Sequence, residues 1–423
     1  MGFQDQTLMR GTVPIHLFSL LCVRQTHSSS FVEKGRTLFR HLAVVFQFPA
    51  EKLSPAEVRR GVEVCLAAST FGDYDNKIAA VRAAERLLSS IPTPQPPDLK
   101  IVVEAHRQKL SLWAGESIAE HIRSLQPASG RKENAYLGEV RLIWAQQLAE
   151  DGNISHAWEL LQQWAPCNAA QPSGLESVIS SRIDFMKGKL SRFRGDFEEA
   201  RLYLEPLTNQ YPAPRIQFSS TLQLAAVYGE LGLWEKAREV LNFDPTTDKR
   251  RRLLLLTKAE LDLSQGLAGS DIHLKSANNA FQNLCDEYRK LVQTGRGSRR
   301  NFFRICIGLA MILHVQHRKD SLFSALLVLN CWKLAYDACR QCLVTTEGFP
   351  DMICLLSIAD IKQSMSDTSS DYDLLHAQNI WEEIIKKRSE QRFFFTNLGT
   401  RWLNLVLKWL EEAGKIVSLP GLK

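Results

Sequence analysis

The sequence lacks any apolar run of the roughly 18 residues that an α-helix needs to cross a bilayer, so no membrane span is expected. Alternating β-branched stretches are scarce too, which leaves little from which to build a sheet. Charge of one sign is not in large excess: 52 Lys and Arg stand against 46 Asp and Glu, a formal net charge of +6. A dedicated nucleic-acid binder concentrates basic residues on one face, so a nucleic acid is disfavoured as the partner. Two local basic clusters, Lys249 to Arg252 and the set Arg296, Arg299, Arg300 and Arg304, fall at expected helix entrances and read as solvated charge runs. The nine cysteines are odd in number and sparse, unlike a disulfide scaffold, which favours a reducing location, cytoplasmic or nuclear.

Residues 1–30 are expected to be a tail. Within them Val13 to Val23 form an apolar run after Arg10, and Asp5 is the lone acid, which leaves secretory or organellar targeting open. His16 interrupts that run, and Gln6 stands where an N-myristoylation signal wants Ser or Thr.

Catalytic motifs are missing as well. There is no G-x-S-x-G elbow and no pair of acidic motifs to hold magnesium, and Gly188-Lys189 follows no Gly-rich phosphate loop. Cys339 and Cys342 form a C-x-x-C inside a helical run, with Cys331 and Cys354 nearby but no second close pair, so buried thiols are expected rather than a metal or redox site. His314-Val315-Gln316-His317 lacks the H-E-x-x-H arrangement of a zinc protease and reads as helix-end polarity, while His156 reads as a packed neighbour of a repeat alanine. No catalytic residue, metal ligand or cofactor is nominated. The balance leans away from an enzyme.

What the sequence does contain is apolar spacing of three and four through most of its length, the signature of helices. Residues 31–91 are expected to form an N-terminal helical portion, with a helix over Phe31 to Phe46, one started by Ser54-Pro55-Ala56-Glu57, and one from Gly72 to Ile91. Residues 92–97 hold four prolines and form an expected stiff joint; residues 98–415 form the main array and 416–423 a tail.

Inside the array three segments align without gaps. They are Gly152 to Ala157 with Leu161, Gly195 to Ala200 with Leu204, and Gly232 to Ala237 with Leu241. The rule is glycine, a bulky residue two later (Ile154, Phe197, Trp234), alanine five later and leucine nine later. Glycine suits a turn that needs positive φ, alanine suits a close helix crossing, and leucine fills the groove one turn on. Helices carrying Trp144 and Leu148, Phe185 and Leu190, and Leu224, Ala225 and Tyr228 precede the three turns.

On these residues the chain resembles the tetratricopeptide repeat family, best over residues 134–245, with Pro212 at a later family position. The glycines are 43 and 37 residues apart where the family period is about 34, and the pairs near 249–293, 298–344 and 349–388 keep helical spacing without the glycine and alanine rule. The resemblance implies an all-α superhelix, a solenoid of about seven to eight helix pairs closed by a C-terminal capping helix over Phe393 to Gly414.

It also implies a protein-protein interaction scaffold whose first helices hold an unidentified protein or peptide. Arg141, Gln146, Arg182, Lys187, Gln223 and Tyr228 are the expected groove residues, and Gly152, Ala157, Gly195, Ala200, Gly232 and Ala237 the structural ones. The Lys-x-x-x-Asn clamp of chaperone-binding members recurs only as Lys275 and Asn279, in a second helix, which disfavours chaperone C-termini. Two other readings share the texture: an accessory protein or enzyme subunit resembling tetratricopeptide-like proteins of fungal natural-product pathways, and a helical-repeat RNA binder, which the irregular period disfavours. Oligomeric state is not legible.

Overall fold

The computed structural model describes residues 53–69, 74–91, 97–113, 130–150, 153–209, 214–245, 247–294, 298–320, 324–342, 348–386, 398–417 and 419. The expected N-terminal tail, the helix over Phe31 to Phe46, the prolines at 92–96 and Gly152 lie outside them.

Helix starts follow capping chemistry. Glu57 Oε2 accepts from the Ser54 backbone N–H at 2.8 Å while Ser54 Oγ accepts from Glu57 N–H at 3.4 Å, a reciprocal box that opens α1, Pro55–Ala68. Next come α2, Tyr74–Ser89; α3, Pro97–Trp113; α4, Arg131–Glu150; and α5, Ile154–Gln162. The central helices are α6, Gly174–Arg194; α7, Phe197–Asn209; α8, Pro214–Glu230; and α9, Trp234–Val240. They are followed by α10, Asp248–Leu267; α11, Asp271–Gln293; α12, Arg299–Lys319; and α13, Ala325–Cys342. The last are α14, Phe349–Ser364; α15, Ser370–Lys386; and α16, Leu398–Glu412. No strand occurs among the described residues, and no helix there is long and apolar enough to cross a membrane.

The chain divides into two compact units. The first holds residues 1–150, His156–Met186 and Tyr211–Ile216; the second holds the remainder, so the division falls within α5, α6 and α8.

In the first unit α1 packs on α2, and α3 on both. Their core joins Val58, Val62 and Leu66 with Ala84 and Leu87 and with Leu99, Val102 and Val103, so the helix after the proline-rich segment shares a core with those before it. Farther on, buried Glu176 ties down the segment that leads into α6. It accepts hydrogen bonds from Cys167 N at 2.8 Å, Ser173 N at 2.9 Å, Ser173 Oγ at 2.8 Å and Asn134 Nδ2 at 3.3 Å. Burial acts to raise its pKa, and these four donors overcome it and hold the carboxyl at about 2.

In the second unit consecutive helices pair: α10 with α11, α12 with α13, α14 with α15, with α11 on α12 and α13 on α14. The repeat rule is visible in the turns. Gly195 and Gly232 adopt φ of +86° and +72°, and each turn is closed by a bond from the following residue's N–H back over the helix end, Asp196 to Ser191 O at 2.9 Å and Leu233 to Tyr228 O at 2.8 Å. Ala200, Ala237, Leu204 and Leu241 are wholly buried, as are Ala157 and Leu161 of the first unit.

The alanines are small for the reason expected, but they are half of the device. Gly188 of α6 lies so close to α7 that an added Cβ would sit 2.7 Å from Leu204 Cγ, and Ala225 of α8, like Gly188, stands seven residues before its turn glycine. A small residue on the first helix thus admits the leucine of the second.

The later pairs, expected to lack the glycine, keep it once more. Gly269, φ +111°, closes α10 with the same bond pattern, Ser270 N–H to Gln265 O at 3.4 Å, and Gly266 lets the backbone of Leu274 approach to 2.9 Å of where a Cβ would lie.

The expected closing helix is α16, ended by Gly414 at φ +77°. It packs on α14 and also on α10, across first helices of separate pairs.

Candidate functional site

The first helices of the second unit, α6 from Lys187 onward with α8, α10, α12 and α14, bring together two clusters that local sequence patterns do not announce. One is aromatic and lies beneath α16. His314 of α12 is wholly buried, in contrast to the expected polar helix end, and its ring stands 6.1 Å from Trp332, 5.4 Å from Trp402 and 5.0 Å from Trp409.

The hydrogen bonds decide its protonation. Trp332 Nε1 donates to His314 Nδ1 at 3.1 Å, and an indole can only donate, so Nδ1 is the acceptor and Nε2 carries the proton. That Nε2–H then donates to Asp360 Oδ2 at 2.8 Å. Arg318 secures the same carboxylate, through Nε to Oδ2 at 3.2 Å and through Nη2 to Oδ1, and lies over the Trp409 ring at 5.3 Å. Burial is the largest influence on His314 and lowers its pKa despite Asp360. With both ring nitrogens engaged and no exposed surface, His314 joins α12, α13, α14 and α16; it is not placed to exchange protons with a substrate. Trp402 completes the joint by donating from Nε1 to Ser357 Oγ at 2.9 Å.

The second cluster is charged and lies at the N-terminal end of α16. Arg401 donates to Ser264 Oγ at 2.9 Å and to the Gly229 carbonyl at 3.3 Å, capping the end of α8, and stacks over Trp234 at 5.1 Å. Arg304 makes a two-point pair with Glu260, Nε to Oε1 at 2.7 Å and Nη2 to Oε2 at 2.5 Å. The sequence places Arg304 in a solvated charge run; the fold instead commits it to this interior pair. Burial alone depresses its pKa, and Glu260 more than reverses that, leaving it raised.

Arg192 of α6 is 7% exposed and is pushed down to about 10 by burial, with Glu230 its foremost opposing charge and Arg304, Glu260 and Arg300 within electrostatic reach. Glu230 is in turn pushed up to about 8 by burial, against the pull of Arg401 and Arg192.

The six expected groove residues divide between the units. In the first, Arg141 donates to Gln163 O at 2.7 Å, Gln146 is exposed, and Arg182 pairs with Glu139 of α4 at 3.4 Å. In the second, Lys187 lies over the Tyr203 ring at 5.7 Å, and Gln223 is half-buried with its Oε1 lacking a partner. Tyr228 is buried and donates to Glu205 Oε1 at 2.5 Å, so it faces α7 and not an open surface.

Cys339 is buried within α13, as a thiol in a helix core would be, and His156 is exposed, contrary to its reading as a packed neighbour. Among the described residues no group of three His, Cys, Asp or Glu is arranged to hold a metal.

No family model matches the sequence, and no curated protein matches it. Among solved structures one similar chain is described as a circular tandem repeat protein with novel repeat topology and enhanced subunit contact surfaces. It is 12% identical, the match covers 96% of this chain and 91% of that one, and the TM-score is 0.17. A score that low carries no argument about this chain.

Proposed function

We propose that the chain is a non-catalytic protein-interaction scaffold of the tetratricopeptide-like kind, which holds a peptide or partner helix against the first helices of its pairs. The observation that carries the reading is α16. This amphipathic helix of the chain itself lies on α10 and α14, burying Trp402, Leu403, Val406 and Leu410, so a surface of first helices accepts a helix through an apolar stripe flanked by polar anchors. Gln146 and Arg182 are the proposed partner contacts of the first unit and Lys187 and Gln223 those of the second, while Arg141, through Gln163, holds α4 and Tyr228, through Glu205, holds α8.

Affinity purification with mass spectrometry tests the proposal, with wild type compared against Arg182→Ala and Lys187→Ala. Proteins recovered with wild type are expected to be lost or depleted with the variants. Identical recovery from all three, with folding verified by circular dichroism, refutes the assignment of these contacts.

A further inference from the structure

The charged cluster ahead of α16 holds an unmatched set of polar groups. Arg192 Nε is buried without a hydrogen-bond partner, and the same is true of Ser220 Oγ and Gln223 Oε1 on α8. The buried Nε has no hydrogen bond although the Arg192 guanidinium lies over the Phe193 ring at 5.3 Å and has Glu230 as its foremost opposing charge, and a buried donor left unmade is costly. The carboxylates nearby do not serve. Glu260 is taken by both arms of the Arg304 fork, and Glu230 forms no ion pair or side-chain hydrogen bond among the described residues.

We infer that Arg192 receives the carboxylate of an acidic side chain from an extended peptide whose backbone runs along α8 past Gln223 and Ser220.

The geometry favours a peptide over a small anion. Ser220, Gln223 and Glu230 share one face of α8, being three and ten residues apart from the first, and they span about 15 Å at 1.5 Å per residue. A single small acid does not bridge that length, whereas about five extended residues do. Gln223 Oε1 needs a donor, which a peptide N–H supplies and a phosphate at neutral pH supplies poorly. The planar Arg192 fork matches a carboxylate in two-point geometry. Gln223 and Glu230 are half-buried and so give an incoming chain an accessible edge of the row, whereas Ser220 is wholly buried. Glu230, whose carboxyl titrates near 8, faces Arg192 of α6 and Arg401 of α16, with Glu260, Arg304 and Arg300 around Arg192. Protonated, it donates to the incoming carboxylate; ionised, it competes for Arg192.

This inference rests on the scaffold reading, and the two fail separately. The test is fluorescence anisotropy of the full chain with labelled acetyl-pentaglutamate amide, and with pentaglutamine and free succinate as comparison ligands at constant ionic strength. Pentaglutamate is expected to bind wild type, to bind Arg192→Gln at least about tenfold more weakly, and to bind Arg251→Gln, an equal charge change at an exposed site, as wild type does. If Arg192→Gln does not fold, Arg192→Lys keeps the charge without the fork and is expected to weaken binding several-fold, with Gln223→Ala doing the same. Affinity is expected to fall as pH rises through about 8, and Glu230→Gln to remove that fall.

Equal losses in Arg192→Gln and Arg251→Gln overturn the inference, since they would show only diffuse attraction. So does succinate binding without pentaglutamate binding. If pentaglutamate does not bind while captured proteins are still lost from Arg182→Ala and Lys187→Ala, the carboxylate assignment falls and the scaffold reading stands.

Discussion

Replacing Trp402 with alanine probes the attachment of α16 directly. The indole is wholly buried, and its ring centroid lies 5.4 Å from His314, 5.5 Å from Trp332 and 5.7 Å from Trp409. Removing a buried tryptophan costs about 3–5 kcal/mol, and the loss of three ring contacts makes about 3 kcal/mol a lower bound for this site. The polar side of the change is small, because Ser357 Oγ keeps its bond to Ile353 O at 2.8 Å and is not stranded. Helix α16 has 15 residues, a length that is marginal for an isolated helix in water, so its order depends on docking.

A loss of 3 kcal/mol raises the undocked population about a hundredfold. Hydrogen exchange read by mass spectrometry is therefore expected to show amides of α16 exchanging about a hundredfold faster in Trp402→Ala, while those of α11 around Phe281 change little. Uniform acceleration from α10 to α16 would show that the helix is inseparable from the unit. A change under about 1 kcal/mol would refute the packing argument itself.

Three further outcomes follow from other features. Gly188→Leu is expected to destabilise by about 1–3 kcal/mol or more in urea titrations, because its Cβ would meet Leu204 at 2.7 Å; an unchanged midpoint would mean that α6 and α7 do not cross there. Gly232→Val, at φ +72° with open space around it, is expected to cost about 1–2 kcal/mol from backbone strain alone, while Gly232→Asn recovers much of it. Two groups give opposite pH slopes. His314, lowered by burial, contributes stability that is full above its ordinary 6.5 and is lost as pH falls below it, whereas Glu230, raised by burial, contributes stability that is full below 4.5 and is lost as pH rises through about 8. Glu230→Gln is accordingly expected to gain on wild type between pH 6 and 9 in chemical denaturation, and a constant difference across that range would contradict the assignment.

How far the sequence discloses this molecule depends on the range of the interactions. The turns at Gly195 and Gly232 were readable because glycine, alanine and leucine recur at fixed short offsets that one hairpin of helices imposes. The boundaries of the later pairs are readable from apolar spacing, yet Gly269 carries no such signature: the residues five and nine after it, Leu274 and Asn278, break the alanine and leucine rule, while its backbone keeps the turn.

His314 departs from the helix-end polarity its neighbours suggest for a different reason. Its partners Trp332, Asp360 and Trp402 lie 18, 46 and 88 positions away, and nothing adjacent to His314 betrays them. Arg192 likewise sits in an ordinary basic stretch beside Arg194, and only the fold withdraws one of the two from water. Small residues seven positions before the three aligned glycines Gly152, Gly195 and Gly232, namely Ala145, Gly188 and Ala225, mark the crossings in the sequence itself.

The attachment of α16 has a consequence for biogenesis. Each hairpin of the second unit closes over a few dozen residues, but Arg401 meets Ser264 and Gly229 across separations of 137 and 172 residues. Contacts at such range form late, so hairpins assembled during translation carry an uncovered greasy strip along α10, α12 and α14 until residues 398–412 emerge from the ribosome. A nascent chain in that interval is the species for which a molecular chaperone would matter most.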